Sequence, residues 1–248
     1  MGLSFVTLGV GDAFSAKHYS SCLAVESDGA WLLVDCPHPI RKILHESGQA
    51  AGVPLDVGNF SAVAITHLHA DHCSGLEGFL YFASFVLQQR PLVLTHPHVA
   101  ARLWSGHLAA GMEQLMPSAD ARPERKQIGD YTDLSLLSTE RAVTVGPFSI
   151  ECHLTVHHIP TTALRIRAGG RCLGISADTA YDVGLLAWLG EADLVVHETN
   201  YGVHTPYEKL AALPETKRAK MRLIHYPDDF DTNASVIEPL VQGRRYEV

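Results

Sequence analysis

Lysine and cysteine are scarce in this 248-residue chain, and long apolar runs are missing. Six lysines stand beside 13 arginines, the formal net charge is −8, and the basic residues are dispersed. No basic stripe marks a footprint for long nucleic acid. The five cysteines (Cys22, Cys36, Cys73, Cys152 and Cys172) include no CxxC pair. That disfavours a disulfide framework and a cysteine zinc knuckle, leaving reduced, mostly buried thiols. No apolar run reaches the ~18 residues that span a bilayer. The opening Met-Gly-Leu-Ser-Phe lacks the charged n-region of a signal peptide, so a soluble, cytoplasmic protein is expected. With 46% hydrophobic and 19% charged residues, and glycine and proline scattered, the composition excludes a disordered, collagenous or coiled-coil chain. One compact domain over 1–248 is expected.

Histidine is what the chain has in excess: its 15 copies outnumber the arginines. The surrounding pattern alternates strand and helix signals. Leu3 to Gly9 reads as a strand running into the turn Gly9-Val10-Gly11-Asp12-Ala13, and Cys22–Glu26 and Trp31–Asp35 read as strands joined by the hairpin signal Ser27-Asp28-Gly29. Ala62–Thr66 is a short buried strand, and Gly75–Gln89 has helical apolar spacing that Arg90-Pro91 ends. His98–Met116 looks helical and Pro117–Asp133 is polar and aperiodic, so a surface insertion is expected around 98–133, a region that could pack across a homodimer. Strand patterns return from Ala142 to Val156 and from Leu164 to Ile175. Strand clusters with interspersed helices in both halves fit two packed sheets with helices outside.

The informative stretch is Thr66-His67-Leu68-His69-Ala70-Asp71-His72-Cys73-Ser74-Gly75, between a buried strand and a helix. At an extended strand end, residues two apart point the same way, so His67 and His69 can share one metal ion. Asp71 and His72, beyond the turn, can address a second. Four ligand-type side chains in six positions are costly to crowd together without a cation.

This HxHxDH loop resembles the hallmark of the metallo-β-lactamase superfamily of metal-dependent hydrolases. Leu8-Gly9-Val10-Gly11-Asp12-Ala13-Phe14 is similar to that family's opening loop, and Leu33-Val34-Asp35-Cys36 to its second-strand aspartate, with Pro37 where many relatives have glycine. The resemblance implies an α/β fold, a four-layer αββα sandwich of two mixed sheets, with a dinuclear metal site on one edge. It also implies further ligands. A third histidine for the first metal is His157 or His158. The apolar residues of Phe148–Val156 fall on even positions, which sets His157 with the polar face, and its spacing to Pro160 also looks like relatives, so His157 is preferred. Asp178 matches the metal-bridging aspartate and His225 the final ligand of the second metal. Zinc is the default ion, with manganese or iron also suited to imidazole and carboxylate ligands.

The third position of the loop, His69, is not the glutamate of flavodiiron-type oxygen reducers, which favours hydrolysis. Val196-His197-Glu198-Thr199-Asn200, followed by His204-Thr205-Pro206, is similar to the ribonuclease Z branch, although threonine sits one place early. On that likeness His197, oriented by Glu198, is the candidate general acid, Asp71 is a further catalytic candidate, and Asp35 is the partner of a ligand histidine. His204 either supports the site or caps its helix. Transfer-RNA-processing relatives carry a long arm between the third histidine and the bridging aspartate, yet only 20 residues separate His157 from Asp178. The short connection and the acidic balance imply hydrolysis of a small or cyclic phosphodiester, cyclic-nucleotide-like, by a metal-bridging hydroxide. A ribonuclease Z-like nuclease and an ester, lactone or thioester hydrolase remain as alternatives on the same metal site.

Overall fold

A computed structural model describes residues 2–248. In chain order the first half contains β1 (Leu3–Gly9), β2 (Cys22–Ser27), β3 (Ala30–Val34), α1 (Ile40–Ala50), β4 (Phe60–Ala64), α2 (Ala70–Cys73), α3 (Leu76–Phe85) and β5 (Leu92–Thr95). It continues through α4 (Pro97–Leu103), a π-helical turn (Trp104–Leu108), α5 (Ala109–Met112), β6 (Gln114–Leu115), β7 (Glu124–Arg125) and β8 (Asp133–Leu136). The second half contains β9 (Val143–Val145), β10 (Phe148–Leu154), β11 (Thr162–Ala168), β12 (Arg171–Ile175), α6 (Val183–Leu189), β13 (Leu194–Glu198), α7 (Tyr207–Ala211), α8 (Glu215–Arg218), β14 (Met221–Ile224) and β15 (Arg245–Glu247).

Two mixed sheets result, one in the order β15-β1-β2-β3-β4-β5-β8 and the other β14-β13-β12-β11-β10-β9. The period of two along each strand divides the core. Leu3 and Phe5 of β1, with Leu32 and Val34 of β3, face the second sheet, where Phe148, Ile150, Leu164 and Ile166 meet them. Their neighbours Val6, Leu8 and Leu33 point the other way, onto Ile43 and Leu44 of α1 and Phe79 and Leu80 of α3. On the far face of the second sheet, Leu185 and Leu189 of α6 close the fourth layer. The αββα sandwich follows from this two-sided burial. All five cysteines are buried free thiols. Among the described residues no helix is long and apolar enough to cross a membrane.

The 98–133 region departs from a surface insertion. Val99, Leu103, Leu108 and Met112 are buried along one continuous helical face, and Tyr131 packs fully beneath them, its hydroxyl donating to the Met112 carbonyl at 3.0 Å. Asp133 starts β8, which pairs in parallel with β5. Only the hairpin of β6 and β7, over Gln114–Arg125, projects as an insertion, and its polar composition fits that exposure.

Parallel pairing of β3 with β4, and of β12 with β13 and β14, brings the carboxyl ends of these strands to one edge. Strand β10 runs the same way as β12, because both are antiparallel to β11. Asp35, His67, Asp178, Glu198 and His225 each lie at or just beyond one of those ends, with His157 just past β10.

Candidate metal centre

Residues Thr66 to His69 leave β4 extended, and His69, still extended (φ −69°, ψ 147°), is the N-cap from which α2 starts at Ala70. Extended spacing puts His67 and His69 on one side. One helical turn then swings Asp71 and His72 to the other. His67 Nε2 lies 3.2 Å and His157 Nε2 3.1 Å from His69 Nδ1, so three imidazole nitrogens converge on one point. Asp178 completes this group, its Oδ2 lying 3.6 Å from both His67 Nε2 and His157 Nε2. Its other oxygen, Oδ1, faces a second group, 3.2 Å from His72 Nε2 and 3.6 Å from His225 Nε2, with Asp71 Oδ2 3.3 Å and 3.2 Å from the same two nitrogens. Within each group the ligand atoms lie within 4.8 Å of one another. His158 is exposed on the rim, its ring centroid 6.1 Å from that of His69, while His157 enters the cluster.

The supporting contacts fix which nitrogen of each ring points inward. Thr66 Oγ1 donates to Asp35 at 2.9 Å, so it accepts from His67 Nδ1 at 3.0 Å and leaves His67 Nε2 as the lone-pair atom. Nδ1 of His72 donates to Asp35 Oδ2 at 2.8 Å, freeing its Nε2 in the same way. Asp35 also accepts from the Thr66 backbone N–H at 2.8 Å, which ties the end of β3 to the histidine loop. Asp35, Ala177 and His225 adopt positive φ (62°, 50° and 59°), a strained backbone conformation that recurs where a strand end must turn a side chain into a site.

Burial lowers the pKa of His67 well below the ordinary imidazole value, lowers that of His69, and brings His157 down to about 4. These rings are neutral and ready to ligate. Burial also opposes charge on His72 and His225, but Asp178, with Asp35 beside His72 and Asp71 beside His225, outweighs it and raises both. For Asp71 and Asp178 burial works toward protonation, and the adjacent His72 and His225 overcome it and lower both carboxyls. Among the described residues, nine buried side-chain atoms have no hydrogen-bond partner, and two of them, His72 Nε2 and Asp178 Oδ1, face each other in the second group. Lone pairs that converge without donors repel one another; a cation removes the repulsion. The donor set therefore fits divalent metal.

His197 is not part of this cluster. Successive residues of β13 point to opposite faces, so Glu198 reaches the site and its neighbour cannot. The His197 ring is buried, its Nδ1 donates to the Glu198 carbonyl at 2.7 Å, and burial lowers its pKa. The candidate general acid read from the sequence is thus corrected to a core histidine. His204 takes the place beside the metal groups. Its Nδ1 lies 3.0 Å from Glu198 Oε1, and its ring centroid lies 5.2 Å from that of His225 and 5.3 Å from that of His157. Burial opposes charge on His204, but the hydrogen bond to Glu198 prevails and raises its pKa. Glu198 is braced by the Thr179 backbone N–H, which donates to Oε1 at 2.8 Å. Strand parity shows from the sequence that His197 and Glu198 cannot both face one site; that Glu198 faces it and pairs with His204 follows from the structure.

The family model described as anti-Pycsar protein Apyc1 matches residues 3–241. The chain belongs to this family. The anti-Pycsar protein Apyc1 of Bacillus phage 010DV004 is 30% identical over 262 aligned positions, covering 98% of each chain. Among solved structures, the metallo-β-lactamase fold protein YhfI from Bacillus subtilis superposes over 100% of both chains with a TM-score of 0.76 at 18% identity. Human tRNase Z, short form, covers 98% of both with a TM-score of 0.68 at 21% identity. The fold is that of the metallo-β-lactamase superfamily, and the chain is a metal-dependent hydrolase.

Proposed function

We propose that the protein is a phosphodiesterase that hydrolyses a small cyclic phosphodiester, cyclic-nucleotide-like, with two divalent ions, zinc by ligand preference. The observation that carries this reading is the division of Asp178: one carboxylate oxygen serves the group of His67, His69 and His157, the other the group of Asp71, His72 and His225. Two ions bound there supply Lewis acidity toward phosphoryl oxygens and lower the pKa of a bound water.

The chain's own groups supply the rest. Asp35 and Thr66 hold the His72 and His67 rings so that their Nε2 atoms face inward. Glu198 raises the pKa of His204 and engages its Nδ1, leaving Nε2 to hand a proton to the leaving alkoxide. Opening a cyclic phosphodiester requires such a donor on the side of the departing oxygen.

Substrate size follows from the connection between His157 and Asp178. Residues 162–175 form the β11–β12 hairpin inside the second sheet, so nothing projects there to grip a long RNA. That supports a small substrate over a nuclease role, as does the net charge of −8.

The test is turnover by protein loaded with two equivalents of zinc or manganese, on bis(p-nitrophenyl) phosphate and a panel of cyclic nucleotides. Hydrolysis of at least one cyclic nucleotide to a linear mononucleotide is expected. Loss of all phosphodiester turnover, with esters or lactones hydrolysed instead, would assign the site to the carboxylic-ester class.

A further inference from the structure

We propose that Phe14 is the stacking platform for the base of the substrate, an inference that rests on the phosphodiesterase reading and extends it to specificity. The loop following β1 carries this ring almost wholly in solvent, at 92% exposure, the highest of the large apolar side chains. Exposure alone says little for a floppy loop. This loop is tied down on both sides of the ring. The Phe14 backbone N–H donates to Asp12 Oδ1 at 2.9 Å, and the other oxygen of that buried carboxylate accepts from Asn200 Nδ2 at 3.0 Å. Beyond the ring, Ser15 Oγ donates to Asp228 Oδ1 at 2.5 Å and the Ala16 N–H donates to Asp228 Oδ2 at 2.8 Å.

Both anchors belong to the site's own segments. Asn200 lies two residues beyond Glu198, and Asp228 three beyond His225. Gly11 also forms an isolated β-bridge with Tyr226, the residue after the ligand His225. Polar groups from two segments, the one that carries Glu198 and the one that carries His225, thus hold in place a turn whose tip is an exposed aromatic. A cyclic nucleotide held by its phosphate at the ions leaves its base beyond them, and a base has a π-face that an aromatic ring can cover irrespective of its hydrogen-bonding edge.

The test compares wild type with Phe14→Ala and Phe14→Trp, loaded with metal, on a 3′,5′-cyclic nucleotide and on base-free ribose 3′,5′-cyclic phosphate. Removal of one stacking partner corresponds to a roughly 5- to 150-fold loss in kcat/KM on the nucleotide. The loss for Phe14→Ala should exceed that on the base-free substrate at least 5-fold, be carried by KM, and be restored by Phe14→Trp. Equal losses on both substrates, no loss, or a change of Phe14→Ala in solution mass by light scattering would overturn the proposal, the last by making Phe14 a contact between copies. Equilibrium binding of the nucleotide gives the same comparison independently of turnover. If wild type binds nucleotide with no preference over the base-free compound, Phe14 has no base to hold. If wild type binds nucleotide through Phe14 yet never cleaves it, the phosphodiesterase reading fails while the platform stands.

Discussion

Oε1 of Glu198 lies 3.0 Å from Nδ1 of His204, across the loop that follows β13, while His197, adjacent to Glu198 in sequence, is buried on the opposite face of the same strand. The two histidines therefore predict opposite phenotypes. His204→Ala should lower kcat on a cyclic phosphodiester by about 10²- to 10⁴-fold with metal content intact. His197→Ala should instead destabilise the fold by about 1–3 kcal/mol. Kinetics, elemental analysis and denaturant unfolding of the two variants separate these outcomes.

Asp35 touches no ligand atom, yet it holds His72 Nδ1 at 2.8 Å and Thr66 at 2.8 and 2.9 Å. Asp35→Asn should weaken metal binding about 10- to 100-fold, the usual effect of losing a group that orients a ligand. Competition with a chromophoric chelator reads this directly. Wild-type affinity in the variant would remove Asp35 from the account.

Loading metal should release protons. The neighbouring carboxylates raise the pKa of His72 and His225, so in the metal-free protein these rings hold their protons to higher pH than an ordinary imidazole, and a ligating nitrogen must be bare. The sign follows: affinity rises with pH until those two rings have lost their protons, and falls on acidification. His157, with its pKa brought down to about 4, stays neutral over most of that range and does not contribute. Calorimetry at pH 7 in two buffers of different ionisation enthalpy gives the number of protons released; a value of zero would contradict the assignment.

Chelation should lower Tm. Asp71 and Asp178 are ionised in a mostly buried site whose remaining partners are imidazoles, so the bound cation favours the folded state. At free metal a thousandfold above Kd, each ion contributes about 4 kcal/mol. For a chain of this size each kcal/mol corresponds to roughly 2–4 °C. With two ions, a drop of roughly 15–30 °C on chelation, reversed by adding metal, is the expected result in differential scanning fluorimetry.

The parts of the site that sequence made legible are those whose geometry is local. His67, His69, Asp71 and His72 sit within one strand end and one helical turn, so spacing alone places their side chains. His157, Asp178 and His225 come from distant strands, and only resemblance joined them to the loop; the parallel register of β12, β13 and β14 is what brings two of them to one edge. For His197 the motif likeness and the alternation of β13 disagree, and the alternation, which buries the ring on the far face, is what the structure follows. The 98–133 region misled for a similar reason. Its polar hairpin dominated the composition, while the spacing of Val99, Leu103, Leu108 and Met112, a buried helical face, was the stronger physical signal. Phe14 lies inside a turn motif, and only contacts distant in sequence, to Asn200 and Asp228, set its loop apart.

Two ions sharing Asp178 should act together on a cyclic phosphodiester. Metal-free protein titrated with zinc or manganese while 3′,5′-cyclic nucleotide hydrolysis is followed should reach full activity at two ions per chain and yield a linear mononucleotide. A plateau at one ion, or two bound ions with no cleavage of any cyclic nucleotide, would rule out a shared dinuclear mechanism.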